Sequence, residues 1–108
     1  MNTTLTQQEL DDIEKVKYNC FNIQYVNQTK AVCKVAVNIW GLILVHIKNP
    51  DDELCLDAVR QCGLALQFVK NKTLPICITA IKQCPKAILY VENQTHYLYD
   101  VLYILHLT

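Results

Sequence analysis

Six cysteines and three histidines are the residues of this chain best suited to chemistry, as metal ligands, nucleophiles or disulfide partners. The cysteines stand at 20, 33, 55, 62, 77 and 84, and the histidines at 46, 96 and 106. Structural zinc sites draw on close pairs such as C-x2-C, because one small ion must be reached by every ligand. Here the recurring spacing is C-x6-C, at 55/62 and 77/84. On a helix, positions i and i+7 share a face but stand about 10 Å apart, too far for one tetrahedral ion or one disulfide. No metal and no cofactor is expected, while bridges between neighbouring units stay open. No Cys–His spacing identifies an activated thiol, and a buried cysteine is ordinarily an inert packing residue. Serine is absent altogether and glycine occurs only at 41 and 63, which excludes a serine hydrolase and a phosphate-cradling loop. The expectation is that the chain is not an enzyme and has no catalytic residues.

The cysteines make better sense as repeat positions. Cysteine falls at 33, 55 and 77, alanine at 36, 58 and 80, a branched aliphatic at 37, 59 and 81, and asparagine at 49, 71 and 93. Residues 29–95 therefore repeat every 22 positions without insertion, the mark of a solenoid whose units bury their apolar faces against each other. Cys62 and Cys84 share a second position, and Cys20 stands alone.

Within the unit 51–72, Leu54, Cys55, Ala58, Val59 and Cys62 follow helical spacing, which predicts one amphipathic helix. Asp51 and the matching Thr29, Thr73 and Thr95 are competent N-caps, since a short side-chain oxygen accepts from the unpaired first-turn N–H groups. Gly41 and Gly63 are expected to end the helix by adopting the left-handed conformation. Short apolar segments follow at 42–47, 64–69 and 86–91, about two turns each if helical. Asn49, Asn71 and Asn93 then close each unit, because asparagine tolerates left-handed geometry. Helices this short are marginal alone, so stability must come from packing between units.

Residues 1–28 read as an atypical opening unit, with Thr6 and Glu9 spaced as a capping box and Leu10, Ile13, Val16 and Cys20 on one face. Its junction is one residue short, since Val26 to Cys33 spans less than Ile47 to Cys55. Repeats at 29–50, 51–72 and 73–94 follow, and a closing half-unit at 95–108 places Tyr99 at the cysteine position and Leu102 at the alanine position. Tyr97, Tyr99, Tyr103 and Leu105 either cover the last repeat or offer an apolar face to a partner. The expected fold is one all-α domain over 1–108, a solenoid of paired short helices. A leucine-rich β solenoid is the alternative at this period, but its consensus is not met in any unit.

Composition narrows the setting. Apolar residues make up 52% and charged residues 19%, enough for a continuous core in 108 residues. Ten basic and ten acidic side chains cancel, which argues against a field that attracts nucleic acid or anionic membrane. The first residues lack the basic and apolar regions of a secretory signal, and no apolar run approaches the roughly 20 residues of a membrane helix. An intracellular protein with no membrane association is expected.

Two phrases, LCLDAVRQCGLALQFVKNKT and ICITAIKQCPKAILYVENQT, resemble the repeats of an uncharacterised domain family abundant in giant DNA viruses of amoebae. Ala58, Val59, Gln61, Gly63, Leu64, Ala65, Leu66, Phe68, Val69, Asn71 and Thr73 match its pattern. Ala80, Ile81, Lys82, Gln83, Ala87, Tyr90, Val91, Asn93 and Thr95 match it again. The first full repeat departs, with Asn38, Trp40 and Val45 in place of the usual residues. The resemblance implies an all-helical repeat protein of a large virus or its host, acting in host cytoplasm or virion, and supplies no activity.

Tyr25, His46, Phe68 and Tyr90 occupy equivalent positions and form a candidate partner-binding ladder, joined by Tyr97, Tyr99 and Tyr103 at the C-terminal end. Burial in the core is the simpler reading of such a stripe. Arg60, Lys82, Lys48 and Lys70 recur at helix ends, where cations complement the helix dipole; a phosphate-binding stripe is the competing reading. Triplets at Asn2, Asn27, Asn71 and Asn93 satisfy the N-glycosylation pattern, yet helix end followed by N-cap explains most of them. The expected function is a non-enzymatic protein–protein interaction or scaffold module with a viral or host partner, self-associating through its C-terminal helix. A nucleic-acid-associated accessory protein is the alternative.

Overall fold

The computed structural model describes residues 4–91, and among these every regular element is helical. Four α-helices, α1 (Gln7–Tyr18), α2 (Lys30–Ile39), α3 (Asp52–Gln61) and α4 (Leu74–Gln83), alternate with four six-residue 3-10 helices. The latter are η1 (Cys20–Tyr25), η2 (Gly41–His46), η3 (Gly63–Phe68) and η4 (Pro85–Tyr90). Each α-helix packs on the next α-helix, and each 3-10 helix on the next 3-10 helix. The described chain is thus a stack of four helix pairs, as the 22-residue period predicts. The closing half-unit 95–108, with Thr95, lies outside the described residues.

The core is the period made solid. Each repeat helix buries four residues on one face: Val32, Cys33, Ala36 and Val37 on α2, then Leu54, Cys55, Ala58 and Val59, then Ile76, Cys77, Ala80 and Ile81. The 3-10 segments add Ile43, Leu44, Ala65, Leu66 and Ala87, and Ile47, Val69 and Val91 follow them. Burying one such aliphatic side chain contributes about 1.5–3 kcal/mol, which supplies what the short helices lack alone. Two turns of three residues fit the six-residue segments, so the tighter helix is used where the chain must reverse quickly.

The N-termini follow the expected chemistry with one exception. Thr6 and Glu9 form the capping box, the Glu9 N–H donating to Thr6 Oγ1 at 3.0 Å and the Thr6 N–H to Glu9 Oε1 at 3.2 Å. Asp51 Oδ1 accepts from the Leu54 N–H at 2.8 Å, and Thr29 Oγ1 from Val32 at 3.5 Å. Thr73 makes no side-chain cap bond; Pro75 in that first turn removes one of the N–H groups a cap would serve.

Three expectations are corrected. The helix ends are not left-handed glycines: the cap residues are Trp40, Cys62 and Cys84, all extended, with φ near −150°. Gly41 and Gly63 come one residue later, where a Cβ would overlap the carbonyl oxygens of Ala58 and Ala80 in the following repeat. They are glycine for close approach rather than for a turn. Leu10 is not on the buried face of α1 but 44% exposed, and Asp12 is buried in its stead. Asp12 Oδ1 accepts from Gln8 Nε2 at 2.9 Å, an i, i+4 bond that lets the carboxylate lie inward. Cys20, finally, is no isolated residue: it heads η1 as Gly41 heads η2, so it fills the glycine position.

The N-caps fall at 6, 29, 51 and 73, and the C-caps at 19, 40, 62 and 84. The irregular first interval arises from a longer α1 and a shortened turn between η1 and α2. Among the described residues no helix is long and apolar enough to cross a membrane.

Candidate binding surface

All six cysteines are free thiols. Cys33, Cys55 and Cys77 are core residues, and burial pushes the Cys33 and Cys55 thiols up to about 11, far from the thiolate that nucleophiles and metal ligands require. Cys62 and Cys84 sit part-buried at helix C-caps rather than on the buried helical face. The Cys20 thiol donates to the Ala36 carbonyl at 3.4 Å, the carbonyl whose counterparts press on Gly41 and Gly63. No cluster of three or more His, Cys, Asp and Glu fit to hold a metal occurs among the described residues.

The aromatic ladder divides. Phe68 and Tyr90 are half-buried and pack against the core. Tyr25 is 81% exposed. His46 is half-buried and meets the ring of Phe21 at 5.8 Å. Tyr97, Tyr99 and Tyr103, and the self-association assigned to their helix, lie outside the described residues.

Phe21 is the residue that sequence reasoning missed. Its ring also stands edge-on to Trp40, at 5.3 Å between centroids and 72° between planes. Edge-to-face contact at that distance is the favoured geometry for an aromatic pair. Phe21 and Trp40 both stay open to solvent, and Ile39, Val45, Tyr18 and Tyr25 around them in sequence are exposed as well. The later junctions explain why the patch is here. There the residue before the C-cap is glutamine: Gln61 Oε1 accepts from the Gly41 N–H at 2.6 Å, and Gln83 Oε1 from the Gly63 N–H. At the first junction Ile39 replaces glutamine, Cys20 replaces glycine and Trp40 replaces cysteine. A polar clasp has been exchanged for exposed apolar surface. The departure of Trp40 from the repeat pattern was the legible signal of it.

The charged residues form a separate feature. Lys30 pairs with Asp51 at 3.4 Å and Glu53 at 3.2 Å, and Lys34 with Glu53 at 2.8 Å and Asp57 at 3.2 Å, so α2 and α3 are laced along their exposed sides. The Lys34 and Lys30 ammonium groups hold Glu53 below its ordinary range, and both lysines are raised in turn. Of the four cations in the suggested stripe, Arg60 turns to Asp57 at 3.2 Å. Lys48, Lys70 and Lys82 are exposed.

Residues 51–94, two successive 22-residue units, match the model of a family described as a domain of unknown function, DUF4116. No curated protein and no solved structure matches the chain.

Proposed function

We propose that the chain is a non-enzymatic helical-repeat module that binds protein, a scaffold of viral or viral-like provenance acting in host cytoplasm or virion. The observation that carries this reading is the Phe21–Trp40 pair, backed by the half-buried His46; the pair's two rings stay open to solvent where the repeats otherwise close with a polar clasp. Exposed aromatic side chains are the residues that most often anchor protein interfaces, because they bury large area at low cost in side-chain freedom. The cysteines, caps and most charges meanwhile have structural employment within the stack.

The test compares affinity capture by the native chain with capture by a Phe21→Ala/Trp40→Ala variant, followed by mass spectrometry. Loss of specific partners from a variant that still unfolds in a single cooperative transition is expected. Equal capture by the two proteins overturns the reading. Size measurement in solution decides whether a second copy is among the partners.

A further inference from the structure

Two clefts open where successive repeats meet at their connecting turns. The first, of about 380 Å³, has Asn27, Lys48 and Asn49 in its lining; the second, of about 310 Å³, has Asn49, Lys70 and Asn71. Both include Lys48, Asn49 and Asp51, so they are consecutive lengths of one groove.

Asn27, Asn49 and Asn71 are one repeat position, two residues before the N-caps Thr29, Asp51 and Thr73. Their side-chain amides make no hydrogen bond within the described chain. Of the other described asparagines, Asn19 Oδ1 accepts from the Phe21 N–H at 3.0 Å and Asn22 Nδ2 donates to the Lys15 carbonyl at 2.8 Å, while Asn38 is exposed on α2. Turn formation does not require the amides, since the Asn27 and Asn71 carbonyls accept from Thr29 and Thr73 through backbone alone. Glycosylation does not require them either, because Asn49 is followed by Pro50 and Asp51 and is no acceptor triplet.

A carboxamide presents a donor and an acceptor side by side, the complement of a peptide unit. Packed helices step about 8–10 Å from one to the next. A polyproline II chain advances about 3.1 Å per residue with three residues per turn, hence about 9 Å before the same backbone face returns. A β-strand alternates faces with period two and would present the wrong side at every other repeat. Charge selects further. Lys30 is occupied by Asp51 and Glu53, whereas Lys48 and Lys70 make no ion pair among the described residues, and of the two carboxylates in the lining, Asp51 and Asp52, the first is already held by Lys30.

We propose that this groove binds an extended acidic peptide in the polyproline II conformation, one turn per repeat. Asn27, Asn49 and Asn71 hold its peptide units, and Lys48 and Lys70 face its carboxylates. The proposal rests on the reading of the chain as a protein-binding module but places contact in clefts whose lining does not include Phe21 or Trp40.

Fluorescence anisotropy of a labelled (Pro-Pro-Glu)3 nonapeptide titrated with the full chain tests it, with (Pro-Pro-Lys)3 and (Gly-Gly-Glu)3 as comparators. The acidic proline peptide is expected to bind, the basic one not, and the flexible one several-fold more weakly. An Asn49→Gly/Asn71→Gly variant keeps the turns' backbone freedom and is expected to lose at least about tenfold in affinity at unchanged melting temperature. Lys48→Ala/Lys70→Ala is expected to weaken binding and its dependence on salt together. No binding of the acidic peptide, equal binding of acidic and basic peptides, unchanged affinity in the Asn→Gly variant, or displacement by a uridine oligomer would each overturn the proposal. Loss of the peptide on Phe21→Ala/Trp40→Ala would also overturn it. A silent groove beside intact capture through Phe21 and Trp40 leaves the broader function standing.

Discussion

The Gly41 N–H donates to the side-chain oxygen of Gln61 at 2.6 Å across the boundary between two repeats. Gln61 Nε2 also reaches the Ile39 carbonyl at 3.3 Å, so one side chain ties the end of α2 and the start of η2 to the next helix. The pair recurs as Gly63 and Gln83. Glycine is required because Ala80 leaves no space for a Cβ, and glutamine because the approaching N–H must be met.

Breaking this clasp is expected to cost stability through two different mechanisms. Gln83→Leu leaves the buried Gly63 N–H without an acceptor, worth about 1–3 kcal/mol. Gly63→Ala forces a methyl against the Ala80 carbonyl, also about 1–3 kcal/mol. Calorimetry should show melting lowered by about 4–8 °C for each kcal/mol in a domain of this size. Because both changes disrupt one contact, the double variant should lose less than their combined effects.

Acid should weaken the α2–α3 side. The Leu54 N–H holds the Asp51 carboxylate below its ordinary value, with Lys30 assisting, and Lys34 and Lys30 do so for Glu53. Groups with lowered folded values stabilise fully above the ordinary carboxylate range, and lose that contribution as pH falls through the folded values. Melting temperature should therefore decline between about pH 5 and pH 3. Asp51→Asn, which can still cap the helix, should flatten that decline, whereas Asp51→Ala should cost about 0.5–2 kcal/mol at neutral pH.

Thiol reactivity should follow burial. Intact mass is expected to be unchanged by reductant, since all six cysteines are free. Brief alkylation of the native protein should modify the part-buried Cys62 and Cys84 before Cys33, Cys55 and Cys77. Early modification of Cys55 would contradict the core described above.

Trp40 is the single tryptophan and can report on the aromatic patch directly. At 37% exposure its fluorescence should be quenched by acrylamide in the free protein and protected when a captured partner is added back. Phe21→Ala removes ring contacts to both Trp40 and His46, each worth about 0.5–1.5 kcal/mol, and should lower the melting temperature measurably without unfolding the protein. Unprotected Trp40 fluorescence in a purified complex would place the interface elsewhere.

Much of the molecule is determined by sequence alone, because the period states which residues share an environment. From it follow the helix pairs, the buried Cys–Ala–aliphatic face, the caps at Thr6, Thr29 and Asp51, and the short first junction. Those are consequences of local spacing and of side chains that meet their partners within four residues. The structure alone decides what depends on contacts between units. Gly63 looks like a helix terminator until Ala80 is seen beside it, and Gln83 looks like a solvated helix residue until the Gly63 N–H meets it. Cys20 joins the repeat only when its thiol is found on the Ala36 carbonyl. Phe21 gained significance through Trp40 and His46, 19 and 25 residues away, since a ring's neighbours across a stack are set by packing and not by its place in the chain.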